Sequence, residues 1–150
     1  MHRIPARPLT AESFAPFGEV LGPSATAAAF AAAPPARPTL RVSDDLPLVH
    51  LPLRVTRMER HPWSAQSFIP MTDARFLVVV AEPAADGTPD PARLAAFIAQ
   101  GAALCYRPNL WHHGMSVLDA GARFVVLMAT AGRPDDDIFA DLADPVEIAA

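Results

Sequence analysis

A chain of 150 residues that is 51% hydrophobic and 19% charged is long enough to bury a core of its own and too apolar to stay disordered. Twelve basic residues against sixteen acidic ones give a net charge of -4, without the clustered basic footprint that nucleic acids require. The single cysteine, Cys105, cannot close an internal disulfide, and no apolar run approaches the ~20 residues of a membrane span. One cytoplasmic domain over residues 1–150 is therefore expected, with no nucleic-acid or membrane partner.

The first eight residues lack the continuous apolar stretch of a secretory signal. Thr10 is suited to cap a short helix carrying Phe14 and Phe17, and Gly18 to end it in a left-handed conformation. That helix is expected on the outside of the fold. From Ser24 to Pro38 alanine and proline dominate, and Pro34, Pro35 and Pro38 would stop any helix the alanines began, so a loop is predicted. Arg75 to Ala81 and Ala122 to Ala129 are rich in Val and Phe and are predicted as strands buried on both faces. Between them, Asp90 and Pro91 resemble a helix start, Leu94, Phe97 and Ile98 an apolar stripe, and Gly101 a stop, which predicts a helix. The aspartates after Gly132 predict a solvated terminus. Seventeen prolines, many flanking short apolar runs, favour an antiparallel sheet with many turns over a helical bundle.

Reactive side chains concentrate in Glu59-Arg60-His61-Pro62-Trp63-Ser64-Ala65-Gln66 and Tyr106-Arg107-Pro108-Asn109-Leu110-Trp111-His112-His113. On a strand, residues two apart share a face, so Glu59 and His61 point together while Arg60 points away. By the same rule only one of His112 and His113 enters a common site, and His112 is the candidate. Two imidazoles, a carboxylate and the Gln66 amide oxygen form a donor set compatible with nickel, manganese, iron or zinc. A metal-free site that uses the same groups for hydrogen bonding is the alternative. Arg60 and Arg107 are candidate clamps for a carboxylate. Trp63 and Trp111 are candidate pocket walls or packing residues, and Cys105 is expected to fill core space.

The spacing of Glu59, His61 and Gln66 is similar to the first cupin motif, with Glu59 in place of its first His and Gln66 in place of its Glu. Pro108 and His112 keep the spacing of the second motif, with Asn109 where Gly is usual; Asn tolerates the left-handed turn. More specifically, the chain resembles the ureidoglycolate lyase family. The resemblance is carried by Phe14-Ala15-Pro16-Phe17-Gly18-Glu19-Val20, Glu59-Arg60-His61-Pro62 with Gln66, Phe68-Ile69-Pro70-Met71, Val78-Val79-Val80-Ala81, Ala96-Phe97-Ile98, and Tyr106 with Trp111-His112-His113.

The resemblance implies a mainly β fold, a cupin-like double-stranded antiparallel β-barrel (jelly roll) with short peripheral helices. It implies a homodimer that cleaves ureidoglycolate to glyoxylate and urea in allantoin degradation. Glu59, His61 and His112 are the expected catalytic residues, Arg60, Gln66, Tyr106, Arg107 and Trp111 the substrate-binding ones, and Glu59, His61, Gln66 and His112 the metal ligands. The chain departs from the family in its alanine-rich 27–38 region, in Ser43-Asp44-Asp45-Leu46-Pro47 where a Ser/Arg-containing strand is usual, and at Gly114, where proline is usual. An Asp common near the end of the last strong strand is missing at Met128-Ala129-Thr130. These departures keep open a diverged cupin that binds or transforms another small carboxylate, with or without catalysis.

Overall fold

A computed structural model describes residues 2–22 and 27–150. In chain order its strands are β1 (His2–Pro5), β2 (Arg7–Pro8), β3 (Gly18–Leu21), β4 (Arg37–Ser43), β5 (Leu53–Arg60), β6 (Gln66–Pro70) and β7 (Phe76–Pro83). They continue with β8 (Pro89–Ala99), β9 (Ala103–Tyr106), β10 (Trp111–His112), β11 (Ser116–Val117), β12 (Phe124–Thr130) and β13 (Ile138–Ala149). A larger sheet runs β1-β13-β5-β10-β7-β8-β2, with β11 also on β7, and a smaller one runs β3-β9-β6-β12-β4. The protein is mainly β and barrel-like, as expected.

The central strand β7 shows why these residues form a sheet. Phe76, Val78 and Val80 point into the core shared with Phe68, Phe124 and Val126 of the smaller sheet, while Leu77, Val79 and Ala81 join Val55, Met58, Val146 and Ile148 in a second core. Both faces are thus buried, which a continuous run of β-branched residues permits. The other predicted strand, β12, buries Phe124 and Val126 on the inner side but leaves Val125 and Leu127 only partly covered.

Four expectations are corrected. The segment predicted as a helix after Asp90 is β8. Its Asp90 carboxylate accepts the Ala92 backbone N–H at 2.9 Å, as a helix cap would, but the chain then extends and pairs antiparallel with β7, Phe76 opposite Ala99 through Ala81 opposite Leu94. Leu94 and Ala96 face one core and Ala95, Phe97 and Ala99 the other. The tail after Gly132 is not a solvated terminus. It forms a 3₁₀ turn (Pro134–Asp136) and then β13, which pairs with β5 and β1 and buries Leu142, Val146 and Ile148.

The third correction concerns the loop before β4. Ser24 to Thr26 lie outside the described residues, but the predicted loop ends at Ala36, because Pro38 is already in β4. This strand ends the order of the smaller sheet, and a proline is tolerated at such an edge. Fourth, Gly18 is not a left-handed helix end: its φ is 159°, and it opens β3 beside β9, where a Cβ would overlap the Cys105 carbonyl. The short helix α1 (Ala11–Phe14) does form, with the Thr10 hydroxyl accepting the Ser13 N–H at 3.1 Å. Its backbone is peripheral, yet Phe14 and Phe17 insert into the core against Phe97. No helix among the described residues is long and apolar enough to cross a membrane.

Candidate active site

Strand pairing brings the two reactive segments together. The two-residue strand β10 lies between β5 and β7, and its register sets His112 opposite both Glu59 and Val80. A second tie comes from the turn before it, where the Asn109 N–H donates to the His61 carbonyl at 3.0 Å. Asn109 has a φ of 65°, the left-handed conformation expected of a residue standing in for glycine. Each segment thereby fixes the other.

Glu59, His61 and His112 each offer one ligand atom, all within 4.8 Å of one another. The two imidazole rings are 5.0 Å apart, and His112 Nε2 is 3.5 Å from Glu59 Oε1, the outer limit of a hydrogen bond. His112 Nδ1 lies 2.9 Å from the Leu110 carbonyl; a carbonyl only accepts, so Nδ1 carries the proton and Nε2 the lone pair. His61 is held in the same way. Its Nδ1 is 2.8 Å from Asp137 Oδ1 and 3.2 Å from the Asp136 carbonyl. Both Nε2 atoms are buried without a hydrogen-bond partner among the described residues, as is Gln66 Oε1.

Three buried acceptors left unpartnered beside a carboxylate are costly unless something enters to meet them. The set of two imidazole nitrogens and a carboxylate, each imidazole oriented through its far nitrogen, suits a divalent metal ion. This cluster can hold one. Gln66, on β6, could add its amide oxygen from the opposite sheet.

Burial pushes the Glu59 carboxyl up, but its contact with the His112 ring, with His61 and His113 nearby, holds the carboxyl below its usual value. Burial, then His112, lowers His61, with the Asp136 carbonyl, Glu59 and Asp137 opposing. Glu59 is therefore ionised and His61 neutral near pH 7. Tyr106 is wholly buried, and burial followed by the Glu59 charge raises its phenol well above the usual value. Its ring is 4.7 Å from that of His112, and its unpartnered hydroxyl remains a proton donor.

A cavity of about 540 Å³ opens on Glu59 and Gln66 and is also lined by Arg41, Phe68, His113 and Ser116. His113, expected to face away from His112, borders this cavity, and burial lowers its pKa. The arginines singled out in the sequence lie elsewhere. Arg60 stacks over the Trp111 ring at 4.5 Å, and Trp111 packs in the second core with its indole N–H donating to the Gly87 carbonyl at 3.0 Å. Arg107 lines a separate cavity with Cys105 and Pro108. Trp63 lies under the Arg133 guanidinium, 4.7 Å from its ring centre.

Two residues were missed. Among the described residues, Arg41 is the arginine that lines the larger cavity. Its signal was alternation in Thr39-Leu40-Arg41-Val42-Ser43. The other is Asp137, fixed by its neighbour Asp136, whose carboxylate accepts the backbone N–H groups of Ala131, Gly132 and Arg133 at 2.9, 2.8 and 3.1 Å.

Comparison with known proteins shows the family. A family model described as ureidoglycolate lyase matches residues 24–147. The chain is 39% identical to a ureidoglycolate lyase of Mesorhizobium japonicum, over 85% of this chain and 86% of that protein. It is 34% identical to a ureidoglycolate lyase of Brucella melitensis biotype 2, over 96% and 94% respectively. It is also 36% identical to ureidoglycolate lyase 1 of Rhizobium meliloti, over 84% and 82%.

Proposed function

The chain belongs to the ureidoglycolate lyase family, and from that premise we propose that residues 1–150 act as one catalytic domain cleaving ureidoglycolate to glyoxylate and urea. The observation that carries this reading is the pair of unpartnered, buried Nε2 atoms of His61 and His112 facing the ionised Glu59. Ureidoglycolate is a carbinolamide. Its cleavage requires loss of the hydroxyl proton, formation of the aldehyde C=O, breakage of the C–N bond and protonation of the departing nitrogen.

In the proposed mechanism Arg41 binds the substrate carboxylate in the larger cavity, since its guanidinium is a fork matched to that group. The carbinol hydroxyl then lies toward Glu59. Glu59 takes the proton at Oε1 as the C=O forms and returns it to the urea nitrogen as the C–N bond breaks, so one carboxylate serves as base and acid. Tyr106 and Gln66 are assigned to hydrogen bonding and orientation. A divalent ion such as nickel, manganese, zinc or iron, held by His61 and His112 with Gln66 as a further donor, would supply Lewis acidity to the developing oxyanion, and Glu59 carries the proton where it is not itself a ligand.

Purified protein incubated with divalent metal and ureidoglycolate is expected to release glyoxylate, and His112→Ala to lower the rate by about 100-fold or more. Undiminished turnover by that variant would remove His112 from the reaction. We place the protein in the cytoplasm as a homodimer, the latter supported by an apolar face on the smaller sheet.

A further inference from the structure

One wall of the larger cavity has no part in the chemistry described so far. Leu46, Pro47 and Val49 line it from the stretch that joins β4 to β5, and Leu53 from the first position of β5. Backbone pairing with β11 fixes that stretch, because the Val117 N–H donates to the Pro47 carbonyl and the Val49 N–H to the Val117 carbonyl, both at 2.9 Å. Leu46 packs on the core between the sheets, and Val49 and Leu53 on the second core, yet all three keep part of their surface exposed. The wall is therefore both held in place and open to contact.

At about 540 Å³ the cavity lies within the ~300–1,000 Å³ of ligand pockets, and a three-carbon acid leaves most of it unfilled. With the carboxylate at Arg41 and the hydroxyl at Glu59, the nitrogen substituent of the carbinol carbon takes what remains of the same cavity. Gln66 offers its unpartnered amide oxygen to the N–H next to that carbon, and the Ser116 hydroxyl already donates to the Gly114 carbonyl at 3.2 Å. Past that N–H the lining is apolar apart from His113 and the backbone at Gly114. A terminal NH2 gains little from such walls. A hydrocarbon chain gains by leaving water, up to about fourfold in affinity for each buried CH2.

We propose that the protein also cleaves N-acyl-α-hydroxyglycines with short hydrocarbon acyl chains, the chain lying along Leu46, Val49 and Leu53. This rests on the lyase reading and keeps its chemistry. The hydroxyl O–H is lost, the aldehyde C=O of glyoxylate forms, the C–N bond breaks with its electron pair going to nitrogen, and that nitrogen takes the proton and leaves as a carboxamide. No further reactant is needed. The acetyl compound differs from ureidoglycolate only by a methyl in place of the terminal NH2, so lengthening its chain isolates the effect of the wall.

The test measures glyoxylate release from ureidoglycolate, N-acetyl-α-hydroxyglycine and N-hexanoyl-α-hydroxyglycine by the metal-supplemented wild type and by Leu46→Asn and Val49→Asn. The wild type is expected to cleave all of them, with kcat/KM at least tenfold higher for the hexanoyl than for the acetyl compound. Each variant should lose about tenfold more kcat/KM on the hexanoyl compound than on the acetyl one; if a variant does not fold, the wild-type ratio decides. Cleavage of ureidoglycolate alone, a hexanoyl compound no better than the acetyl one, or equal losses on both would overturn the proposal. If even ureidoglycolate is not cleaved, the lyase reading fails separately, and the wall is judged by binding. N-hexanoylglycine raising the melting temperature of the wild type more than N-acetylglycine does would then support a hydrocarbon subsite, and equal shifts would dismiss it.

Discussion

His61 and His112 are ordinary histidines made specific by what their Nδ1 atoms touch. The partner of His112 is a carbonyl two residues away, a local contact, whereas His61 depends on Asp137, seventy-six positions along the chain and half-exposed. Asp137→Asn removes the negative charge that favours the Nδ1–H tautomer, so divalent-metal affinity measured by calorimetry should fall about tenfold or more. Stability should change little, because a half-exposed side chain is being altered. Unaltered metal affinity would mean that the Asp136 carbonyl orients the ring alone. Arg41 allows a second comparison. Arg41→Met is expected to raise KM for ureidoglycolate by about 10- to 100-fold, the range for one charge-assisted hydrogen bond, whereas Arg107→Met is not. The reverse pattern would restore the sequence-based choice of clamp. Glu59, His61, Gln66 and His112 were legible because each lies at a fixed spacing within a short segment. Arg41 and Asp137 were not, because sheet pairing recruits them from strands whose register is not written in their own neighbourhoods.

The same distinction between local and distant causes explains which elements could be read. β7 and β12 announce themselves by consecutive β-branched residues, and α1 by a cap whose partners lie three positions apart. β8 misleads because both its faces are buried, so apolar residues occur without alternation, and Leu94, Phe97 and Ile98 happen to fall at helical spacing. Its true pattern is one of size: Phe97 fills the inter-sheet core between Ala95 and Ala99, while Ala96 accommodates the second core. β13 hides its buried residues among aspartates that decorate the exposed side. One pin on this framework is testable through pH. Arg75 donates to both oxygens of Asp119, at 3.0 and 2.8 Å, and also through its backbone N–H at 2.8 Å, securing the start of β7 to the loop after β11. These bonds hold the Asp119 carboxyl at about 2. A depressed folded-state pKa contributes stability above the unfolded value near 3.8, which is lost as pH falls through 2. Asp119→Asn should therefore be less stable than wild type in denaturant titrations at pH 6, with the difference closing between pH 4 and pH 2. A constant difference over that interval would show that the carboxylate charge plays no part.

For the whole molecule, the two sheets are not equally covered. The larger sheet contributes to a second core, but among the described residues the outer face of the smaller sheet has no such cover. There Val42, Val125 and Ile69 lie in one row across β4, β12 and β6, and Leu40 and Leu127 in the next. Leu40 is 71% exposed and Val42 60%. Alternation makes the arrangement consistent: the same strand that turns Arg41 toward the cavity turns Leu40 and Val42 outward. Contiguous apolar surface at a sheet edge invites association, and an edge strand offers unpaired backbone groups beside it. A second copy seated on this face would cover both and would brace β4, which would couple the proposed dimer and the proposed carboxylate clamp through one strand. Sedimentation velocity of the wild type is expected to give a dimer, and Leu40→Asp with Val42→Asp to give a folded monomer with a raised KM, since Arg41 would then stand on an unsupported edge. A wild-type monomer would dismiss the interface, and a variant that becomes monomeric with its KM unchanged would separate assembly from substrate binding.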